Sequence, residues 1–277
     1  INLNQTNLEA TNGGQVNLEA TGDIDLVQTS ALNLGAVAGA NVSVQTTGAA
    51  ADISLNDTVT ATASGNALTI AAGRNFINNA GASALNTTDP GARWLVYSSD
   101  PADNTPGGLN ADFKRYNRTY AGNAPGTISA SGNGFLYSIA PVLTVTADDA
   151  TREYGEANPA FGFTIDTAGL IDGDTLASAT SGVADITTTA TQSTDVGNHT
   201  ITAAQGTLAS DLGYGFTFND GTLDITRAPL DVSLVDPAPS RLQGEPNPDF
   251  TLDFDGFKLG QDESVIDTLP IASTTAD

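Results

Sequence analysis

Short segments of alternating apolar and polar residues fill the first 85 positions of the chain. Each segment places apolar side chains at positions i and i+2 around a polar residue, which is the pattern of a strand with one buried face. Stretches rich in Gly and Asn separate the segments and predict turns, because both residues tolerate a positive φ. The predicted strands are residues 1–3, 16–19, 24–26, 32–34, 42–44, 53–55 and 68–70.

Two all-β architectures fit such a series of short strands. One is a sandwich or barrel, and the other is a solenoid whose coils stack strand upon strand. The irregular strand spacing, the small apolar residues and the Asn-rich turns favour the solenoid, since a sandwich core needs more aromatic rings than Phe76 alone. We therefore predict that residues 1–85 are the end of a right-handed parallel β-helix.

The sequence changes character over residues 86–141, which are rich in aromatic and basic side chains. A solenoid needs its open end covered, so this segment is predicted to cap the β-helix. Aromatic and Arg side chains are also favoured at binding hot spots, which leaves ligand binding as the alternative. The residues that would make such contacts are Trp94, Tyr97, Tyr116 and Tyr120.

A longer repeat follows the capping segment. The pattern Gly-Glu-x-Asn-Pro-x-Phe begins at Gly155 and again at Gly244, and an Ala-Pro pair precedes each copy. We predict two small β-rich modules, β-sandwich or β-grasp-like, at residues 142–228 and 229–277, of which the second is incomplete. The motif residues are Tyr154, Gly155, Asn158 and Pro159 in the first module and Gly244, Asn247 and Pro248 in the second.

Composition narrows the classes of function. The chain has 9 basic and 32 acidic residues, a net charge of −23, no Cys and one His. So few cations cannot replace the counterions of a nucleic acid, and they give no attraction to anionic lipid. We therefore expect no nucleic-acid partner. The absence of Cys excludes disulfides and thiolate metal sites, and no apolar run is long enough to span a membrane.

Carboxylates offer the remaining candidate chemistry. Asp172 and Asp174 flank Gly173 in a predicted turn, and they either bind Ca²⁺ or are solvated turn carboxylates. No EF-hand spacing is present, so we expect no cofactor, with Ca²⁺ as the alternative. Glu9 and Glu19 occupy equivalent positions of a ten-residue repeat, where a β-helical polysaccharide-degrading enzyme would pair its carboxylates. No aromatic platform lies beside them, and we expect no enzymatic activity.

Two parts of the sequence resemble known families. The Gly- and Asn-punctuated repeats, together with residues 92–97 and 134–137, resemble filamentous-haemagglutinin-type proteins exported by two-partner secretion. The Arg-x-Tyr-Gly-x-x-Asn-Pro core at residues 152–159, with Gly173 and Asp174, resembles the MBG (mucin-binding-like, YGX-type) repeats of bacterial surface proteins. The second copy departs from this core, since Leu242 and Gln243 stand where the first has Glu153 and Tyr154.

These resemblances imply a secreted adhesin on the surface of a Gram-negative bacterium, with an outer-membrane two-partner-secretion transporter as a partner. We expect this chain to be a structural stalk or filament segment used in attachment or biofilm formation. The alternative is a specific adhesin module that binds a receptor or glycan through residues 86–141. Partners of the stalk would be other copies, surface or matrix components, or host glycans.

Overall fold

The fold is almost entirely β. The computed structural model describes residues 2–5, 14–235 and 239–275. Strands make up 39% and helices 6%, which confirms the predicted all-β class. Within the described residues, no helix is both long and apolar enough for a membrane span. The helical elements of these described ranges are α1 (Leu176–Ala179) and four 3₁₀ turns at Pro101–Asp103, Pro125–Thr127, Thr167–Gly169 and Glu263–Val265.

The strands of residues 2–5 and 16–137 belong to two parallel sheets. The first sheet has the order β1-β3-β5-β8-β11-β13-β12, and the second has the order β10-β7-β4-β6-β9 with β2 paired to β4. Because the chain returns to the same sheets and pairs in parallel, this part is a parallel β-helix, the fold predicted for residues 1–85. The strands are β1 (Asn2–Gln5), β2 (Val16–Glu19), β3 (Ile24–Gln28), β4 (Leu32–Gly39), β5 (Val42–Thr46), β6 (Ile53–Leu55), β7 (Val59–Ala61), β8 (Gly65–Ala71), β9 (Phe76–Asn78), β10 (Leu85–Thr87), β11 (Ala92–Ser98), β12 (Phe113–Arg115) and β13 (Gly134–Tyr137).

Apolar side chains form continuous columns inside the β-helix. Ile24, Val42, Leu68 and Trp94 are paired across β3, β5, β8 and β11, and all four are buried. In-register parallel pairing places each residue above its counterpart, so every coil adds one layer to the same core. The apolar residues of the alternating pattern therefore face this core, and the polar residues between them lie on the opposite face of each strand.

The parallel ladder extends beyond residue 85 into the predicted capping segment. β11 pairs with β8 and β13, and both β11 and β13 are buried on their two faces. Phe113, Tyr120 and Ile128 cover the outer face, where Leu95 and Leu136 lie in the same apolar cluster. The segment thus contributes strands to the β-helix and also covers them, which explains its continuous apolar runs.

The charged strand β12 lies at the edge of the first sheet. It pairs in parallel with β13 and carries Lys114 and Arg115. Charged side chains on an edge strand oppose pairing with the edge of another sheet. The charges of β12 therefore fit its place as the last strand of the first sheet.

The first module is built from two small sheets. One has the order β16-β14-β19 and the other the order β15-β20-β18-β17. A compact core contains Ile201, Leu223 and Ile225, with Tyr154 and Phe161 packed against it. The strands are β14 (Val142–Ala147), β15 (Ala150–Glu153), β16 (Phe163–Ile165), β17 (Asp185–Thr187), β18 (Gly197–Ala204), β19 (Gly215–Asn219) and β20 (Gly221–Thr226).

The second module contributes one hairpin within the described residues. β21 (Asp231–Leu234) and β22 (Leu252–Asp255) pair antiparallel. By density of contacts, the chain divides into two compact units. The first contains residues 1–144, 166–183 and 207–217, and the second contains residues 145–165, 184–206 and 218–277. The three domain boundaries drawn from the sequence, after residues 85, 141 and 228, stay predictions.

Candidate functional site

The aromatic rings proposed as ligand contacts lie mainly in the interior. Trp94, Tyr97 and Tyr116 are 3%, 2% and 0% exposed, and Tyr120 is partly buried. Trp94 packs edge-on against Phe135 at 5.3 Å, and Tyr97 packs edge-on against Tyr120 at 5.3 Å. Three of the four rings are therefore packing residues in this structure, so ligand binding by this segment stays a prediction for its exposed residues.

Asp174 lies at the centre of a polar cluster in the first compact unit. Its carboxylate accepts hydrogen bonds from the hydroxyls of Tyr116 at 2.7 Å and Tyr214 at 2.9 Å. The Lys114 ammonium lies 3.0 Å from Asp174 and 2.7 Å from Asp172. The Asp174 side chain is only 6% exposed, so these partners satisfy a buried charge. The cluster fixes the turn at residues 171–174 against β12.

Burial and the neighbouring charge perturb the phenols of this cluster. Burial, followed by the hydrogen bond to Asp174, raises the pKa of Tyr116 far above its usual value. Burial likewise raises the pKa of Tyr214. Both phenols therefore stay protonated and donate to the carboxylate at neutral pH.

Lys114 stands where a cation would bind the proposed calcium ligands. Its ammonium contacts oxygen atoms of both Asp172 and Asp174, and it also donates to the Asp172 backbone carbonyl at 2.8 Å. A calcium ion at these oxygens would have to displace it. Among the described residues, no group of three or more His, Asp or Glu side chains could hold a metal ion. Calcium binding stays a prediction that depends on this displacement.

The repeated motif of the modules contains a buried arginine clamp. Arg152 is 7% exposed and donates to Asn158 Oδ1 at 2.6 Å, to the Glu153 carbonyl at 3.0 Å and to the Thr191 carbonyl at 2.5 Å. Asn158 in turn donates to the Ala190 carbonyl at 2.7 Å. These bonds tie the motif to the loop around residues 190–191 and give its Arg and Asn a structural role.

The second copy repeats the clamp at an exposed site. Arg241 Nε donates to Asn247 Oδ1, and Arg241 Nη1 donates to the Glu245 carbonyl. The pairing of Arg and Asn is thus common to both copies. The sequence motif contained both arginines, but only the structure shows that they, together with Lys114, organise the neighbouring polar groups.

The motif glycines are set by backbone conformation. Gly155 has φ +85° and Gly244 has φ +88°, a region that side chains with a Cβ rarely adopt. Pro159 and Pro248 follow the clamp asparagines and fix φ of the chain that leaves each motif. The hydroxyl of Tyr154 accepts a hydrogen bond from Gln261 at 2.9 Å. Gln243, which takes the place of Tyr154 in the second copy, has no corresponding bond among the described contacts.

A polar groove of about 270 Å³ lies on the capping segment. Arg115 and Arg118 line it together with Asn123, Thr127 and Ser129. Arg93 donates a hydrogen bond at 2.9 Å to the carbonyl of Ile128, a residue that also lines the groove. The groove brings two cations together in a strongly acidic chain, a charge that would attract an anionic ligand.

Only one of the two carboxylates of the enzyme alternative lies in the part of the chain that the structure describes. Glu19 is exposed on β2, and Glu9 lies outside the described residues. The chemistry of a glycoside hydrolase needs both carboxylates in one groove. The expectation that the chain is not an enzyme stays a prediction.

Comparison with known proteins assigns part of the chain to a family. Residues 143–224 match the MBG domain (YGX type) and therefore contain such a domain. The match spans the two sheets of the first module and includes Tyr154, Gly155 and the arginine clamp. MBG domains are β-rich domains of surface proteins. No curated protein and no solved structure shows a significant match to the chain.

Proposed function

We propose that this chain is a structural stalk or filament segment of a secreted bacterial adhesin of the filamentous-haemagglutinin type. One observation carries the proposal: the charged and aromatic side chains best suited to bind a ligand instead form hydrogen bonds and ion pairs within the protein. Lys114, Asp174 and Tyr116 bind one another, and Arg152 binds Asn158. Such bonds hold elements in place, as a load-bearing β scaffold requires.

The proposed location is the outer surface of a Gram-negative cell. An MBG domain is a domain of surface proteins, and the absence of Cys suits export of an unfolded chain through an outer-membrane transporter. The net charge of −23 would keep neighbouring copies apart in solution and limit non-specific association. Contacts with other copies or matrix components would then need specific surfaces. No catalytic activity is part of this proposal.

A fusion experiment tests the structural role. The chain is immobilised on beads through its N-terminus, with or without a small carbohydrate-binding domain of known specificity at its C-terminus. We expect the fusion to capture only the ligand of the added domain, and the chain alone to capture neither glycans nor mucin. Capture by the chain alone would favour the receptor-binding alternative.

The groove on the capping segment supports that second candidate, a glycan-binding adhesin module. Its discriminating variants are Arg115→Ala and Arg118→Ala, because both side chains line the groove. Trp94→Ala is unsuitable, since removing this buried ring would cost about 3–5 kcal/mol of stability. Saturable glycan binding that both Arg variants abolish, with unchanged melting temperature, would establish this function.

A further inference from the structure

One four-residue turn occurs at the same place in both modules. It contains residues 171–174 in the first module and 258–261 in the second. Asp172 and Leu259 have φ of 52° and 55°, and the glycines after them have φ of 72° and 73°. The fourth residue donates its N–H to the carbonyl of the first at 3.0 Å in both copies. The two turns therefore share one backbone conformation despite different side chains.

The position of each turn within its own module is also repeated. A Cβ on Gly169 would lie 2.3 Å from the Val142 carbonyl oxygen, and one on Gly256 would lie 2.6 Å from the Pro229 carbonyl oxygen. Glycine at both positions thus lets the segment leading to the turn approach the start of its own module. Each turn is held beside the joint through which its module is connected to the preceding part of the chain.

Each turn contacts the preceding part of the chain through the same two kinds of interaction. In the first copy, the fourth residue, Asp174, accepts from the Tyr116 hydroxyl, and Lys114 forms an ion pair with Asp172. In the second copy, the fourth residue, Gln261, donates to the Tyr154 hydroxyl at 2.9 Å. Its ion pair joins Lys258 to Glu156 at 2.8 Å.

The charge of the ion pair is reversed between the two joints. The first turn supplies the acid and its receiving surface supplies the base, whereas the second turn supplies the base. Gly155 brings the second pair together, because a Cβ there would lie 2.5 Å from Lys258 Cβ. A turn of either kind placed on the other receiving surface would meet a like charge, which is destabilising.

We propose that this turn is the docking element by which each module attaches to the preceding segment, and that the reversed charges of the two joints determine the order of the modules. The partner of the first turn is the surface formed by Lys114 of β12 and by Tyr116, which follows β12 directly. The partner of the second is the Tyr154–Glu156 surface of the first module. This role is independent of the proposed stalk function, because a glycan-binding protein with the same modules would need the same joints.

Distance measurements between paired spin labels test the second joint. The chain has no Cys, so Thr202→Cys and Asp253→Cys, both at exposed positions, give a chain that is labelled at these two positions alone. We expect a narrow distance distribution that Lys258→Glu broadens, raising the undocked fraction about two- to fivefold, as for exposed ion pairs. Adding Glu156→Lys restores the opposite charges and should restore the narrow distribution.

A matched control and an exchange of turns complete the test. Glu245 is the exposed counterpart of Glu156, and Glu245→Lys should leave the distribution unchanged. Replacing residues 171–174 by Lys-Leu-Gly-Gln should broaden distances between labels at Ser129→Cys and Ala177→Cys, because a lysine then faces Lys114. A narrow distribution in Lys258→Glu, failure of Glu156→Lys to restore it, or tolerance of the exchanged turn would each overturn the proposal.

Discussion

The arginine clamp of the MBG domain gives the sharpest test of how the module is stabilised. Arg152→Leu keeps only the inner apolar part of a side chain that is 7% exposed, and it removes a guanidinium that donates three hydrogen bonds. A hydrogen bond to a charged group contributes about 1.5–3 kcal/mol. The leucine avoids the cost of burying a charge, which offsets part of this loss. We expect a net loss of about 2–4 kcal/mol from the free energy of unfolding.

That loss is large beside a total stability of about 5–15 kcal/mol. For a domain of 60–100 residues, each kcal/mol shifts the melting temperature by about 4–8 °C, so the module should melt roughly 8–32 °C lower. Urea unfolding followed by circular dichroism measures the free energy, and calorimetry separates the transition of this module from others. The measurement should use the whole chain.

Arg241→Leu is the matched control. Arg241 makes the corresponding bond to Asn247 but is only partly buried, so water replaces much of what is lost. We expect this variant to lose about 1 kcal/mol or less. A loss below 1 kcal/mol for Arg152→Leu, or equal losses for both variants, would refute the assignment of the clamp as a buried stabilising element.

Three further predictions concern the turns and their joints. EDTA should leave the melting temperature of the chain unchanged, because Lys114 occupies the place of a calcium ion. Lys114→Met leaves Asp172 and Asp174 without their cation, so added Ca²⁺ should raise the melting temperature of that variant. A melting temperature of the unsubstituted chain that falls in EDTA would contradict this. The Lys258 ammonium lowers the pKa of Glu156. The ion pair therefore contributes fully to stability above pH 4.5, the ordinary pKa of a Glu, and this contribution is lost as the pH falls through the lowered pKa. NMR titration of the Glu156 carboxyl should show a midpoint below 4.5 that rises in Lys258→Met. Leu259 has φ +55°, a left-handed conformation that Asn tolerates better than Leu. Leu259→Asn should therefore raise the free energy of unfolding by about 0.5–1 kcal/mol in urea titrations. A loss of stability would show that the contacts of the leucine side chain contribute more than the backbone strain costs.

The sequence predicted the strands that have one apolar face and one polar face. Ile24, Leu26, Val42 and Val44 alternate with polar residues, and β3 and β5 lie where that alternation places them. β11 and β13 were not predicted as coils of the β-helix, because they are buried on both faces and so have no alternation. Their cover comes from residues 113–128, which are distant in sequence, and local pattern carries no information about it.

The candidate site was harder to predict for the same reason. The turn at Asp172 and Asp174 was predicted from Gly173, but its cation, Lys114, lies 58 residues away in the chain. Aromatic residues such as Trp94 serve equally at binding surfaces and in cores, and only the column of Ile24, Val42 and Leu68 decides in favour of the core. The repeat located the motif of Arg152, whereas its partner Thr191 became visible only in the fold.

The most direct test of the structural role is to pull the chain between its two ends in an optical trap. A stalk segment must resist force until its units unfold cooperatively. We expect discrete extension steps, one of which releases roughly 280 Å, the length of residues 143–224 as an extended chain. Arg152→Leu should lower the force of that step alone. Gradual extension at low force, without a step of that size, would contradict the proposal that this chain is a load-bearing segment.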